Sequence, residues 1–334
     1  MKTLGLDGCK CWLCGSERHR TLFYCEDYNW GIEGMFTYLK CRNCGLVFQD
    51  VSSRIHDTVE WYPDFYGTYA GKSSGEVERR IESNANRFRS AFLEKFCRHG
   101  SLFDVGCGSG FFLEHMRRRG WRVAGVERAR EHVEFARKTL GIESILLGSW
   151  PDVQVPGLEW DVVSFIHTIE HFANPLEELS AARALLRKGG LVLVETPNVE
   201  SWPARIFRKW WVALDAPRHL NLFSRSTLEK YLERSGFEVI HLRTYSPSTL
   251  EYSESMRSLL RDLGVHRESW RIKENRCIES QTGSEQDEIN AHPRHVSFPI
   301  RSFHICERLF YRTVNWIADG LGNGCNVLAL GQKP

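Results

Sequence analysis

The sequence predicts an α/β fold, a sheet of seven strands with helices on both faces, behind a small N-terminal module. Three observations predict it. Short apolar runs at 101–105, 121–127, 144–147, 161–166 and 191–196 alternate with stretches of helical period, the pattern of a mostly parallel sheet. The run Phe103-Asp104-Val105-Gly106-Cys107-Gly108-Ser109-Gly110 places an acid and three glycines on the first strand-to-helix turn, and Glu127 ends the second strand. Six of the 11 cysteines fall within the first 44 residues.

The cysteine-rich end comes first in the chain. Cys11-Trp12-Leu13-Cys14-Gly15 and Cys41-Arg42-Asn43-Cys44-Gly45 are two C-x-x-C-G turns. Each sets two thiolates on one tight turn, and two such turns make the closed tetrahedral four-sulfur set that structural zinc takes. Cys9, Cys25 and His19 read as non-ligands. Strands are expected at 21–24, 36–39 and 46–48, so residues 1–50 form a zinc ribbon too small to fold without its metal. Residues 51–75 are rich in rings, Trp61, Tyr62, Phe65, Tyr66 and Tyr69 among them. They are expected to cap the mouth of a ligand site, with aromatic glue between the two halves as the plainer alternative.

The sheet domain is expected over 76–334. A helix carrying Phe88, Phe92 and Phe96 precedes the first strand. Two helices end at Gly120 and Gly141. A third has Asn174 as cap, Pro175 at its first position, and Gly189-Gly190 after Arg187-Lys188. A helix at 225–236 leads to a sixth strand at 237–240, and 326–330 is the seventh. The intervening 246–325 is an insert with helical flanks near 259–263 and 309–321 and a polar middle.

The glycine turn and Glu127 point to a nucleoside ligand. Glycines let backbone approach a ligand, and an acid ending the second strand can grip ribose hydroxyls. Position 111 is Phe, so the dinucleotide spacing G-x-G-x-x-G is not met. Composition sets further bounds. The net charge of +2 gives no global pull toward nucleic acid, and no apolar run approaches the ~18 residues of a membrane span. The N-terminus lacks the apolar core of a secretion signal, and the clustered cysteines suit a reducing cytoplasm.

The pattern D-x-G-C-G-x-G at Asp104 to Gly110, with Glu127, resembles motif I of the class I S-adenosylmethionine-dependent methyltransferases. The resemblance covers 76–245 and includes His167-Thr168-Ile169-Glu170-His171 after the fourth strand and Glu195-Thr196-Pro197-Asn198 after the fifth. It is similar to the subgroup of ubiquinone, natural-product and polysaccharide methyltransferases, several of which carry a four-cysteine ribbon. It implies a Rossmann-like sheet whose last strand inserts antiparallel beside the sixth. It implies that Asp104, Gly106 and Gly108 line the methionine moiety, with Cys107 and Gly110 also in the cofactor site. Glu127, with Arg128 beside it, would hold the ribose, Ser149 and Trp150 would flank the adenine, and Tyr66 would close the site.

Methyl transfer to an alcohol gains from a base tuned near neutral, usually histidine. His167, His219 and His171 are the candidates. Relatives that carry E-x-x-E-H hold a divalent metal. Here His167 replaces the first acid, so a catalytic metal at Glu170 and His171 is the lesser reading. Residues 201–223, with three Trp and the basic Arg205, Arg208, Lys209 and Arg218, read as a lid that hints at an acidic or phosphorylated acceptor. The expected reaction is O-methylation of a small molecule or a sugar or glycan intermediate. The alternatives are an RNA methyltransferase using the ribbon for contact and a non-catalytic partner-binding protein. The ribbon has no dense basic stripe, so nucleic acid is not the expected partner. The oligomeric state is left open.

Overall fold

The fold was obtained as a computed structural model, which describes residues 9–51, 61, 76–155, 157, 159–248, 250–264 and 311–334. The ribbon strands are β1 (His19–Cys25), β2 (Phe36–Cys41) and β3 (Val47–Gln49). Helix α1 (Glu76–Leu93) leads into β4 (Ser101–Val105), α2 (Phe111–Arg118), β5 (Arg122–Glu127), α3 (Arg130–Leu140) and β6 (Ile145–Leu147). Then come β7 (Trp160–Ile166), α4 (Pro175–Leu185), β8 (Leu186–Pro197), the short α5 (Trp202–Phe207), β9 (Asn221–Leu222), α6 (Arg225–Arg234) and β10 (Glu238–Tyr245). Helix α7 (Leu250–Asp262), a helical segment at 311–320 and β11 (Asn326–Gln332) complete the described chain.

The seven-stranded sheet has the order β10-β11-β8-β7-β4-β5-β6. Its parallel part is β8, β7, β4, β5 and β6, and β11 runs antiparallel between β8 and β10. This is the Rossmann-like arrangement the alternating pattern calls for. Side chains alternate across it as a strand requires. Phe103, Val105, Val163, Phe165, Val192 and Val194 face one way and pack on α4 and α6. Leu102, Val162, Leu191, Leu193, Leu328 and Leu330 face the other way and pack on α1, α2 and α3.

Besides β10, which runs on to Tyr245 where the sequence reading stops at 240, two features differ from the sequence expectation. Helix α4 stops at Leu185, not after Arg187-Lys188, because Trp160 pairs Leu186 and pulls 186–190 into an extended hook. The hook is held by Gly189 N–H to Lys333 O at 2.8 Å and Lys333 N–H to Gly190 O at 2.9 Å. The second difference is β9, which the sequence does not announce. It joins the ribbon as a fourth strand, with Val47 opposite Leu222 and Phe48 opposite Asn221.

The ribbon therefore shares both its sheet and its apolar core with the rest of the chain. Leu13, Leu39, Leu46 and Phe48 lie in one buried cluster with Phe223 and Tyr231. Phe36 and Tyr38 lie in another with Phe207, Trp211, Leu214 and Tyr252. Of the aromatic 51–75 segment, Trp61 packs against Val51 and Leu220, between ribbon and lid. Tyr66 and the rest of 52–75 lie outside the described residues, as does the polar stretch 265–310. Among the described residues no helix is long and apolar enough to cross a membrane.

Candidate functional site

The glycine turn between β4 and α2 is built by positive backbone angles. Gly106 has φ +68°, and a Cβ there would meet the Thr168 side chain at 2.6 Å, so this position admits glycine alone. Glu127 closes the turn from β5. Its carboxylate accepts Gly108 N–H at 2.9 Å and Ala129 N–H at 2.9 Å. Asp104 is buried and accepts the Ser164 hydroxyl at 2.6 Å. Burial pushes its carboxyl up to about 7, against the pull of Ser164 and Arg89. The turn borders a cavity of about 430 Å³, lined by Asp104, Gly106, Cys107, Gly108, Phe111 and His167 among others. That size falls within the range of small-ligand sites. Cys107 is buried and its thiol stays protonated, since burial raises its pKa well above the ordinary value.

Other sequence candidates for this cavity sit elsewhere. Trp150 is packed in the core, 5.9 Å from the Phe103 ring and edge-on to Phe165 at 6.4 Å. Its apolar bulk fills the sheet's α4 side and is not among the lining residues. Ser149 and Arg128 are exposed and do not line the cavity either. Gly110 falls at the cap of α2, where a Cβ would meet Ala136 and Ile145, so it serves helix packing.

A second cavity, of about 450 Å³, opens on the other side of His167. It is walled by the ribbon turn Tyr28-Asn29-Trp30, by Asp215 and His219 of the lid, and by Glu251, Glu254 and Ser258 of α7. His167 lines both cavities.

The three histidines have different environments. His167 has φ +52° and is 40 % exposed in its side chain. Its Nε2 lies 3.2 Å from Glu195 Oε1 and its Nδ1 3.6 Å from Glu170 Oε1. Burial would lower its pKa, but the two carboxylates outweigh that and raise it to about 9. His167 is thus an imidazolium at neutral pH. His171 is the reverse case. Burial and the neighbouring His219 lower it to about 4, and its Nδ1 donates to Arg218 O at 3.2 Å. His219 is buried, and its Nδ1 donates to Ala213 O at 2.9 Å. In the neutral ring that bond leaves Nε2 as the acceptor, with Glu170 and Asp215 oxygens each 4.0 Å away.

His167 also gives a pH prediction. Its folded pKa is raised, so its stabilising contribution is complete below the ordinary value of 6.5 and is lost as pH rises through about 9. Melting temperature is expected to decline over that window, and His167→Asn is expected to flatten the decline. A scan with the same slope in both proteins would refute the pairing.

Several residues in this site carry no sequence motif. Arg89 of α1 makes two hydrogen bonds to the Glu195 carboxylate, at 2.7 and 2.9 Å. Asn326 Nδ2 donates to Glu195 Oε1 at 2.8 Å. Glu195 is wholly buried, and Arg89 holds its pKa well below the ordinary value despite burial. A lone acid inside the apolar run 191–196 was the available signal. Of the four basic residues of the lid, Arg205 and Arg208 are exposed and line neither cavity, and the other two are already engaged. Arg218 is buried against Asp27 and Asp215, and Lys209 lies 3.2 Å from Asp262. The second cavity is lined by three carboxylates, so the hint of an acidic or phosphorylated acceptor loses its basis.

Two sets could hold a metal. The Sγ atoms of Cys11, Cys14, Cys41 and Cys44 all lie within 4.8 Å of one another, with Cys11–Cys44 at 3.5 Å and Cys14–Cys41 at 3.6 Å. Sulfurs about 2.3 Å from a tetrahedral zinc would be about 3.8 Å apart, so the set fits that ion. Asn43 N–H points at Cys41 Sγ from 3.4 Å, the backbone support a metal thiolate uses. The second set is Glu170, His171 and His219. Glu170 Oε2 takes the Thr196 hydroxyl at 3.0 Å, while its buried Oε1 has no hydrogen bond.

The sheet domain is similar to known proteins. Residues 77–242 match the family model of a methyltransferase domain. A ubiquinone biosynthesis O-methyltransferase from Cereibacter sphaeroides is 28% identical over 170 residues, which cover 47% of this chain and 69% of the relative. One from Dinoroseobacter shibae is 29% identical over 170 residues, covering 47% and 68%. Among solved structures, a SAM-dependent methyltransferase from Thermotoga maritima, described as a possible histamine N-methyltransferase, aligns with TM-score 0.46 at 19% identity, covering 78% of this chain and 95% of that one.

Proposed function

Because this chain belongs to the class I S-adenosylmethionine-dependent methyltransferases, we propose that it methylates an oxygen of a small molecule or sugar-type acceptor held in the second cavity. The observation that carries the reading is the junction of the two cavities at His167. S-adenosylmethionine supplies a methyl on a sulfonium, which is transferred in line. The fit of the first cavity to it rests on the buried acid Asp104 and the glycine turn; Glu127 closes that turn without lining the cavity and would meet the ribose at its edge.

The chain's own groups then have three tasks. The lid and α7 position the acceptor and exclude water. His167 is held charged by Glu195 and Glu170, which face both of its ring nitrogens, so it orients the site through its charge and does not take the proton. His219 takes it, because Nδ1 is fixed by Ala213 O and Nε2 is left as the acceptor at the cavity wall. Tyr28, Trp30, Glu251 and Glu254 suit a hydroxylated acceptor better than an anionic one.

A second reading keeps the same reaction and gives Glu170, His171 and His219 a divalent cation. It is favoured by Glu170 Oε1, which has no hydrogen bond and meets histidine nitrogens only at 3.6 and 4.0 Å, and by two histidines whose Nδ1 is tied to a backbone carbonyl. Such an ion would polarise the acceptor hydroxyl.

Calorimetric titration with S-adenosylmethionine and S-adenosylhomocysteine tests the cofactor site. Glu127→Ala is expected to weaken both by about 10²-fold, two charge-assisted hydrogen bonds being lost. Equal affinity in the variant would remove Glu127 from the site. An acceptor screen of sugars, sugar nucleotides and phenols tests the rest. His219→Gln is expected to lower kcat about 10²–10⁴-fold on any acceptor found. Full turnover in that variant would exclude His219 as base and as ligand. Turnover that returns only with added Mg²⁺ or Mn²⁺ would select the second reading.

A further inference from the structure

We infer that the ribbon is a working wall of the acceptor site, in which Asp27, Asn29 and Tyr38 act as positioning residues that hold the 212–219 segment, and with it His219, against the second cavity. The inference rests on the acceptor reading of that cavity.

The contacts are direct. The Tyr38 hydroxyl, wholly buried, donates to His219 O at 2.8 Å. Asn29 Nδ2 donates to Val212 O at 2.9 Å and to Asp215 Oδ1 at 2.7 Å. The Asp27 carboxylate accepts two bonds from Arg218, at 2.8 and 2.9 Å. Arg218 in turn holds both oxygens of Asp215 and the carbonyl of Ala216. The His219 ring is aimed by its bond to Ala213 O, so its direction depends on the turn that these groups fix.

The segment has little structure of its own. Between 208 and 219 it forms only two three-residue helical turns, and Asp215 sits at φ +38°. A stretch with few regular backbone bonds takes its conformation from what is packed on it. Here that is the ribbon on one side and α7 on the other, where the Ser255 hydroxyl accepts Val212 N–H at 3.0 Å. The same ribbon turn goes on to line the cavity with Tyr28, Asn29 and Trp30, opposite Glu251, Glu254 and Ser258 on one face of α7. None of the bonds named here reaches the glycine turn at 106–110. Disturbing the ribbon should therefore affect the acceptor side and spare the cofactor side.

The test uses the full chain with S-adenosylhomocysteine bound, as wild type, Asp27→Asn and Tyr38→Phe. Amide exchange is followed by mass spectrometry, the His219 ring by long-range proton–nitrogen NMR, and ligand affinity by calorimetry. Both variants are expected to exchange about tenfold faster over 211–222, the size set by one lost buried hydrogen bond to a strong partner. The His219 ring is expected to lose its single Nδ1-protonated pattern. Exchange in β4 and β5 and affinity for S-adenosylhomocysteine are expected to stay as in wild type. Wild-type exchange at 211–222 together with an unchanged His219 ring would overturn the inference. So would loosening that spreads equally into β4 and β5, since that is a general loss of stability. The two failures stay apart. An active His219→Gln enzyme removes the base assignment, whereas local loosening in Asp27→Asn still supports the positioning.

Discussion

Replacing Arg218 by methionine is expected to destabilise the chain by about 3–5 kcal/mol, the cost of leaving buried charges without their partner. Arg218 is 1 % exposed, the largest fully buried side chain among the described residues. Its guanidinium makes two bonds to Asp27 and two to Asp215, and reaches the carbonyls of Trp61 and Ala216 at 3.1 Å. Methionine fills similar space but leaves two buried carboxylates facing each other. Lysine is no substitute, because one ammonium cannot make two planar forks. The sign of the pH effect identifies the mechanism. Burial alone would raise the pKa of Asp215, but Arg218 and its neighbours hold it at about 2. In the wild type that depressed group contributes stability above its ordinary 3.8 and loses it as pH falls toward 2. Without Arg218 the carboxyl titrates high, so mild acid neutralises it. The gap between variant and wild type should narrow from pH 7.5 to about 5 in urea denaturation. A gap that is constant with pH would mean that packing, not charge, was lost.

Removing metal from the four-cysteine set is expected to have the larger effect. Structural zinc in modules of this size contributes apparent binding energy of about 10 kcal/mol or more, and that energy is folding energy. Purified chain is expected to carry one zinc, and chelation is expected to expose four titratable thiols and to lower the melting temperature steeply. Cys11→Ser should reproduce the effect. The loss should not be confined to the first 50 residues, because β9 pairs with β3 and Tyr231 packs in the cluster that holds Leu13. Metal-free protein of unchanged melting temperature would show that the cysteines do not form the expected site.

What could be read from the sequence was what short spacing encodes. The glycine turn needs Gly106 at positive φ whatever surrounds it, and the two C-x-x-C-G turns bring their own sulfurs together. The parallel part of the sheet follows from repeated units, whereas the antiparallel last strand is what the family resemblance implies. What could not be read depends on residues distant in the chain. Glu195 gains its meaning from Arg89 and Asn326, which arrive from α1 and β11. Arg218 reads in the sequence as one of four basic lid residues, and its role comes from Asp27, 191 residues away in the chain. Trp150 shows the same limit from the other side. A tryptophan after a strand can face a ligand or the core, and only the packing with Phe103 and Phe165 decides. His167 reads as a candidate base from its place after β7, while the two carboxylates that favour its charged form come from different elements.

The pairing of Val47 with Leu222 also constrains the order of assembly. Five of the seven strands of the large sheet, β4 to β8, lie in sequence between those partners. As the chain emerges from the ribosome, the ribbon must wait with β3 as an open edge until residue 222 is made. Closing so long a loop is slow but adds only modest entropic cost once the intervening strands have condensed. The metal is then best bound early, holding three strands in register while the fourth is still being made. A chain in which residues 1–50 are fused behind the C-terminus would invert that order, and its refolding rate would report whether the early knot of cysteines guides the rest.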